Sequence, residues 1–206
     1  IVFGDWSSDV CSSDLKTHLI PGSTGDGWEL SEKEIDELLE FIIKETGDLG
    51  VRLLIGVLRP DGDDARRDIV KTVEWLKALT GVADPEKALS AAGVCGFTVC
   101  APKGRAVSQE FMGAKLAAIL ELGYPTALYQ LPQITENEIA PKTLEALAGR
   151  YGNFYLWKDT SGRDAVSLSR ADLGGVFTVR GGEGAYARWY RGTPGGLYHE
   201  IGRAHV

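Results

Sequence analysis

From Lys16 onward, short and almost wholly apolar runs alternate with longer stretches whose apolar residues recur at helical spacing. That alternation constrains the fold more than any other feature. A strand that is apolar along its whole length is buried on both faces, the condition of a parallel sheet covered by helices. The first run, His18 to Gly22, ends in the Gly-rich turn Gly22-Ser-Thr-Gly-Asp-Gly27. Ser31 and Glu34 then form a capping box that opens a helix. Its apolar face is Ile35, Leu38, Leu39, Ile42 and Ile43, and Gly47 and Gly50 end it.

Val51 to Leu58 is the next strand, followed by a helix carrying Ile69, Val70, Val73, Leu76 and Leu79. Gly93 to Cys100 is strand again, and Ser108 begins a helix with Phe111, Met112, Leu116, Ile119 and Leu120. Thr126 to Gln130 is a strand, with a helix over Pro141 to Arg150. Asn153 to Trp157 runs straight into Lys158; Val176 to Val179 and Gly196 to Tyr198 complete seven expected strands. Two architectures fit, an open doubly wound sheet and a (β/α)8 barrel. A complete barrel takes about 250 residues, or roughly 31 per unit.

The two ends read differently from the body. Asp9-Val-Cys-Ser-Ser-Asp-Leu15 and Glu200-Ile-Gly-Arg-Ala-His-Val206 are translations of one short DNA element in opposite orientations. That element is a sequencing-library adapter. Residues 1–15 and 200–206 are therefore expected to be non-native segments. Residues 16–199 are expected to form one domain, long enough for about six barrel units. The expectation is a TIM barrel that is incomplete, with strand 1 and the C-terminal part missing. Open edges invite association, so the 206-residue chain is expected to be unstable and inactive by itself.

Composition excludes some function classes. A net charge of −7 speaks against nucleic acid as a partner. No apolar run approaches the roughly 20 residues of a membrane helix, and no secretion signal is readable. Cys95 and Cys100 lie five apart in an expected strand and so point to opposite faces. Two reduced core thiols fit a cytoplasmic protein better than a disulfide does.

Polar groups fall just after several strands: Ser23 and Thr24, Tyr129, Lys158, and the Arg180 to Glu183 turn. In a barrel all of these lie at the C-terminal rim, where such folds place their active sites. Lys158 ends an apolar, aromatic strand. An amine among apolar neighbours loses solvation of its charged form, and the neutral amine can attack a carbonyl to give a Schiff base. The alternative is a strand-end lysine that reaches solvent. Tyr129 can serve such an amine as a proton relay or simply fill space. The Gly22 to Gly27 turn can present N–H groups to an anion or be a bare tight turn. It lacks the Gly-Lys-Ser/Thr of a P-loop, so a carboxylate suits it better than a nucleotide. Metal chemistry has little support, since the body holds only His18 and His199 and no cluster at ligand spacing. There is no Gly-x-Ser-x-Gly elbow for a serine triad.

These residues, in this order, resemble the dihydrodipicolinate synthase / N-acetylneuraminate lyase family. Gly22-Ser-Thr-Gly-Asp26 is similar to its Gly-Thr/Ser-Thr-Gly-Glu turn. Leu128-Tyr-Gln-Leu-Pro132 is similar to its Tyr-Asn-x-Pro segment, and Lys158-Asp-Thr-Ser-Gly162 to its Lys-(Asp/Glu)-(Ser/Ala/Thr)-(Ser/Thr)-Gly segment. Arg180-Gly-Gly-Glu183 sits where the family has a Gly-rich turn. The resemblance implies a (β/α)8 barrel and a class I lyase or aldolase that needs no metal or organic cofactor. It implies Lys158 as the Schiff-base lysine for pyruvate or a related 2-oxo acid, and Tyr129 as the relay. Ser23 and Thr24, with Gly22, would hold the 2-oxo acid's carboxylate, and Gly182 and Glu183 would border it. It also implies a homo-oligomer, a tetramer built from dimers, for a full-length protein.

Three departures weigh against a dihydrodipicolinate synthase proper. Gln130 replaces the family's Asn. Ile134 stands where the synthases have an arginine for the second substrate. Cys100-Ala-Pro-Lys-Gly-Arg105 replaces a Tyr-Tyr pair of the relay. They leave open an enzyme for a different 2-oxo acid, with Lys103 and Arg105 available to an acidic tail, or a barrel that binds such an acid without turnover.

Overall fold

Six of the seven apolar runs become strands in the computed structural model, which describes residues 17–169 and 171–181. The strands are β1 (Thr17–Ile20), β2 (Arg52–Val57), β3 (Val94–Cys100), β4 (Thr126–Gln130), β5 (Phe154–Asp159) and β6 (Phe177–Arg180). They follow one another in the sheet order β1-β2-β3-β4-β5-β6. The pairs β1–β2, β4–β5 and β5–β6 are parallel. Parallel neighbours need a crossover between them, and helices supply it. These are α1 (Glu32–Thr46), α2 (Gly62–Thr80), α3 (Pro85–Ala91), α4 (Gln109–Leu120), α5 (Pro132–Thr135), α6 (Pro141–Arg150) and α7 (Ala165–Ser169). The seventh expected strand, Gly196 to Tyr198, lies outside the described residues.

Two compact units divide the chain, Ile1–Leu58 with Arg67–Thr98, and Arg59–Arg66 with Val99–Val206. In the first, Ser31 caps α1 as its sequence predicts: its Oγ accepts from Glu34 N–H, and the Glu34 carboxylate accepts from Ser31 N–H at 2.8 Å. The core is Leu39, Leu53, Ile55, Ile69, Val73, Leu76 and Phe97, all buried. Gly56 is needed where it stands, because a Cβ there would lie 2.0 Å from the Pro21 carbonyl oxygen. The chain between β2 and β3 forms two helices where the sequence pattern suggests one. Gly81 takes a positive φ of 69°, and Asp84 then caps a new helix by accepting from Lys87 N–H at 2.9 Å, with Pro85 in its first turn.

In the second unit, the apolar faces of α4 and α6 supply Met112, Leu116, Ile119, Leu120, Leu144 and Leu147 to the core. β4 is buried at every residue, as a central parallel strand must be. Asn153 ties the start of β5 to the end of α4, donating to the carbonyls of Leu120 at 2.9 Å and Tyr124 at 2.8 Å. Burial of this much apolar surface, at about 25 cal/mol per Å2, is the main force that holds the strands in place.

Candidate active site

β4 and β5 bring the two residues expected to do chemistry side by side. Tyr129 and Lys158 are register partners, so their side chains share one face of the sheet. The Lys158 Nζ stands over the Tyr129 ring, 4.2 Å from its centroid. Lys158 lies within β5, which continues to Asp159, rather than just beyond it. A residue inside a paired strand has its backbone fixed on both sides, so only its side-chain torsions remain to be set.

Lys158 is half-buried. Burial pushes its pKa down from 10.5 to about 8, against a small opposing effect of Cys100. The buried Cys100 thiol is itself raised well above its ordinary value by burial, so near neutrality it stays protonated and carries no charge. The ring face beneath Nζ attracts the ammonium form and limits the fall. At pH 7 an amine with a pKa of about 8 is roughly 10% neutral, on the order of 300 times more than an ordinary lysine.

A third contact closes the site from β6. A Cβ on Gly181 would lie 3.1 Å from Lys158 Cε and 2.5 Å from Thr160 Cγ2. Only a glycine lets the chain after β6 come this close to the lysine. Gly181 N–H donates to the Asp159 carbonyl at 2.8 Å.

The opposite face of the same strands carries a polar network. Gln130 and Asp159 are register partners. Gln130 accepts from Ile139 N–H at 2.8 Å and donates from Nε2 to Asp159 Oδ1 at 3.4 Å, and Ser161 N–H donates to that same oxygen at 2.8 Å. Thr160 donates from N–H and Oγ1 to the Gln130 carbonyl, at 3.0 and 2.6 Å. Burial holds the Asp159 carboxyl above the usual carboxylate range. Gln130 thus belongs to the scaffold behind Lys158, and its departure from Asn bears on the frame rather than on the face that carries the amine.

Arg180 is buried, 3% exposed, and forks onto Asp164, Nε to Oδ1 at 2.8 Å and a terminal nitrogen to Oδ2 at 3.1 Å. Sequence reasoning placed Arg180 in a rim turn and missed Asp164. A glycine-rich turn announces a close approach, but nothing local in the sequence pairs residues sixteen apart. Gly182 and Glu183 lie outside the described residues. Lys103 and Arg105 both approach Glu136, at 4.0 and 3.5 Å.

The Gly22 turn belongs to the first unit. Ser23–Gly25 is a single 3-10 turn, closed by Gly25 N–H and Gly27 N–H donating to the Gly22 carbonyl at 3.1 and 3.0 Å. Trp28 Nε1 donates to Ser23 Oγ at 2.9 Å, which leaves the hydroxyl hydrogen to face another acceptor. Among the described residues, no helix is long and apolar enough to cross a membrane.

No family model matches the chain. The 4-hydroxy-tetrahydrodipicolinate synthase of Bacillus subtilis (strain 168) is 29% identical over 169 residues, which are 81% of this chain and 52% of that protein. The chain thus spans about half the length of the curated relatives it matches. Among solved structures, a 2-keto 3-deoxygluconate aldolase from Picrophilus torridus superposes with a TM-score of 0.67 at 18% identity, covering 90% of this chain and 62% of its own. A prophage protein of the dihydrodipicolinic acid synthase family from E. coli K12, in complex with pyruvate, does so with a TM-score of 0.66 at 19% identity, covering 90% and 59%. In fold the chain is an incomplete (β/α)8 barrel, and in sequence it is similar to the 4-hydroxy-tetrahydrodipicolinate synthases.

Proposed function

We propose that Lys158 is the Schiff-base lysine of a class I carbon–carbon lyase or synthase acting on pyruvate or a related 2-oxo acid. The observation that carries this reading is the amine itself, half-buried, lowered to about 8 and standing over the Tyr129 ring. The neutral Nζ adds to the ketone carbon of the 2-oxo acid and water leaves. The resulting iminium accepts the electron pair released when the adjacent carbon–carbon bond breaks, or lends it through the enamine when that bond forms. Tyr129 relays the protons of these steps. Ser23 and Thr24, with the Gly22 backbone, hold the 2-oxo acid's carboxylate, and Gly182 and Glu183 border it. The protein works in the cytoplasm as a homo-oligomer and needs no metal or organic cofactor.

The curated relatives are synthases, which favours 4-hydroxy-tetrahydrodipicolinate synthase as a second reading. Ile134 and the Cys100 to Arg105 loop lack the arginine and tyrosines that such a synthase uses, so an acceptor other than that synthase's is preferred. The test is borohydride reduction in the presence of pyruvate on an intact relative that retains these segments, followed by peptide mass analysis. A pyruvyl adduct on the peptide of the lysine that matches Lys158 is expected. Its absence with pyruvate and with longer 2-oxo acids refutes the mechanism. Binding by calorimetry without any adduct points instead to a barrel that only holds the acid.

A further inference from the structure

We infer that the buried Asp164–Arg180 pair is a positioning element for Lys158: it fixes the end of β6 so that Gly181 lies against the lysine side chain and keeps Nζ over the Tyr129 ring. Four observations carry this. Lys158 is in register with Val179 and Asp159 with Arg180. Alternation along β6 therefore sends the Arg180 side chain to the back of the sheet and brings Gly181 round to the lysine's side. The backbone contact there is tight, since the space of one Cβ is already filled by Lys158 Cε and Thr160 Cγ2.

The fork is bidentate, with both side chains more than nine-tenths buried. An arginine–carboxylate fork fixes orientation as well as distance. A buried pair of this kind adds little net stability, because desolvation offsets attraction, so its geometry is the property to account for. Asp164 also holds a left-handed conformation, φ 55°, which a non-glycine residue keeps only when its surroundings hold it there. Its carbonyl accepts from Leu168 N–H at 2.9 Å, so the same residue sets the start of α7. The turn after the lysine strand and the end of the next strand are thus joined behind the site, and the joint reaches the amine only through Gly181.

The groups that face the amine or lie directly behind it are Cys100 from β3, Tyr129 from β4 and Asp159 from β5. Asp164 and Arg180 are bonded to each other, and Asp164 also raises the neighbouring Asp159 carboxyl; their effect on the lysine runs through its position.

The positioning rests on the site geometry, while its value to catalysis rests on the Schiff-base reading. The test separates the two. Lys158 is labelled with acetic anhydride across pH 6–11 and quantified on its peptide, which reports the amine's titration without any 2-oxo acid. Wild type should titrate near 8. The double variant D164N/R180M removes both buried charges together and keeps a residue suited to φ 55° at position 164. It should melt near wild type while its Lys158 midpoint rises by about one unit, with labelling at pH 7 falling about tenfold and labelling at pH 11 unchanged. A variant that melts like wild type and keeps the wild-type midpoint overturns the inference. If the double variant does not fold, R180K decides, because it keeps a buried positive charge beside Asp164 and loses the bidentate fork. A displaced midpoint supports the inference and an unmoved one overturns it. Failure of pyruvate trapping with a displaced midpoint would remove the Schiff-base reading and leave the positioning standing.

Discussion

Replacing Lys158 with methionine should make the protein more stable at neutral pH. The displacement of the amine from 10.5 to about 8, at about 1.4 kcal/mol per unit, corresponds to up to about 3 kcal/mol. The folded state disfavours the charged form, so below about pH 8 folding must desolvate the ammonium in full. Between 8 and 10.5 the unfolded chain still binds a proton that the folded chain has released, and stability rises with pH. Above 10.5 both states are neutral and the penalty is gone. K158M removes it at all pH values, while its side chain fills the same space. Urea unfolding at pH 7 should therefore show K158M ahead by up to about 3 kcal/mol, and at pH 11 the two proteins should coincide. A variant less stable than wild type at pH 7, or one whose advantage is the same at both pH values, refutes the reasoning. A gain of this size from removing one residue marks a group kept for activity at a cost in stability.

Three further perturbations follow from the same contacts. Tyr129→Phe keeps the ring under Nζ and loses the phenol, so the midpoint of Lys158 trapping by pyruvate should stay near 8 while its plateau rate falls about 100-fold; an unchanged plateau removes the relay. Asp164→Ala strands the Arg180 charge in the interior and should cost about 3–5 kcal/mol in urea unfolding; a loss under 1 kcal/mol would show that water reaches the guanidinium. Gly56→Ala drives a methyl onto the Pro21 carbonyl, backbone that has nowhere to go, and should abolish cooperative unfolding as followed by circular dichroism.

The strands were legible because each is a continuous apolar run, and the capping box at Ser31 and Glu34 announced α1 to the residue. From sequence, Lys158 and Tyr129 share only a position after their strands, and the family resemblance gives them linked roles. In the structure the pairing comes from register between two strands that are about thirty residues apart in sequence, which no local pattern encodes. The break between α2 and α3 was blurred because Leu79 and the apolar residues after it continue the helical spacing past Gly81. The Asp164–Arg180 fork was illegible for a different reason. Charged residues at the ends of turns are usually solvated, and burial at these two positions is created by the elements that fold over them. From its position beside Tyr129, Gln130 reads as a departure that weighs against a dihydrodipicolinate synthase proper. Alternation along β4 turns it to the other face, where it bonds to Ile139 and Asp159.

That alternation has a practical consequence for anyone who would redesign what this scaffold accepts. Along β4 and β5 the register joins Ala127 to Leu156 and Tyr129 to Lys158, and on the reverse side Leu128 to Trp157 and Gln130 to Asp159. Randomised libraries confined to Ala127 and Leu156 would remodel the face that carries the amine without touching the girder that holds it. Libraries spread over consecutive positions would spend half their diversity on the girder and return mostly insoluble protein.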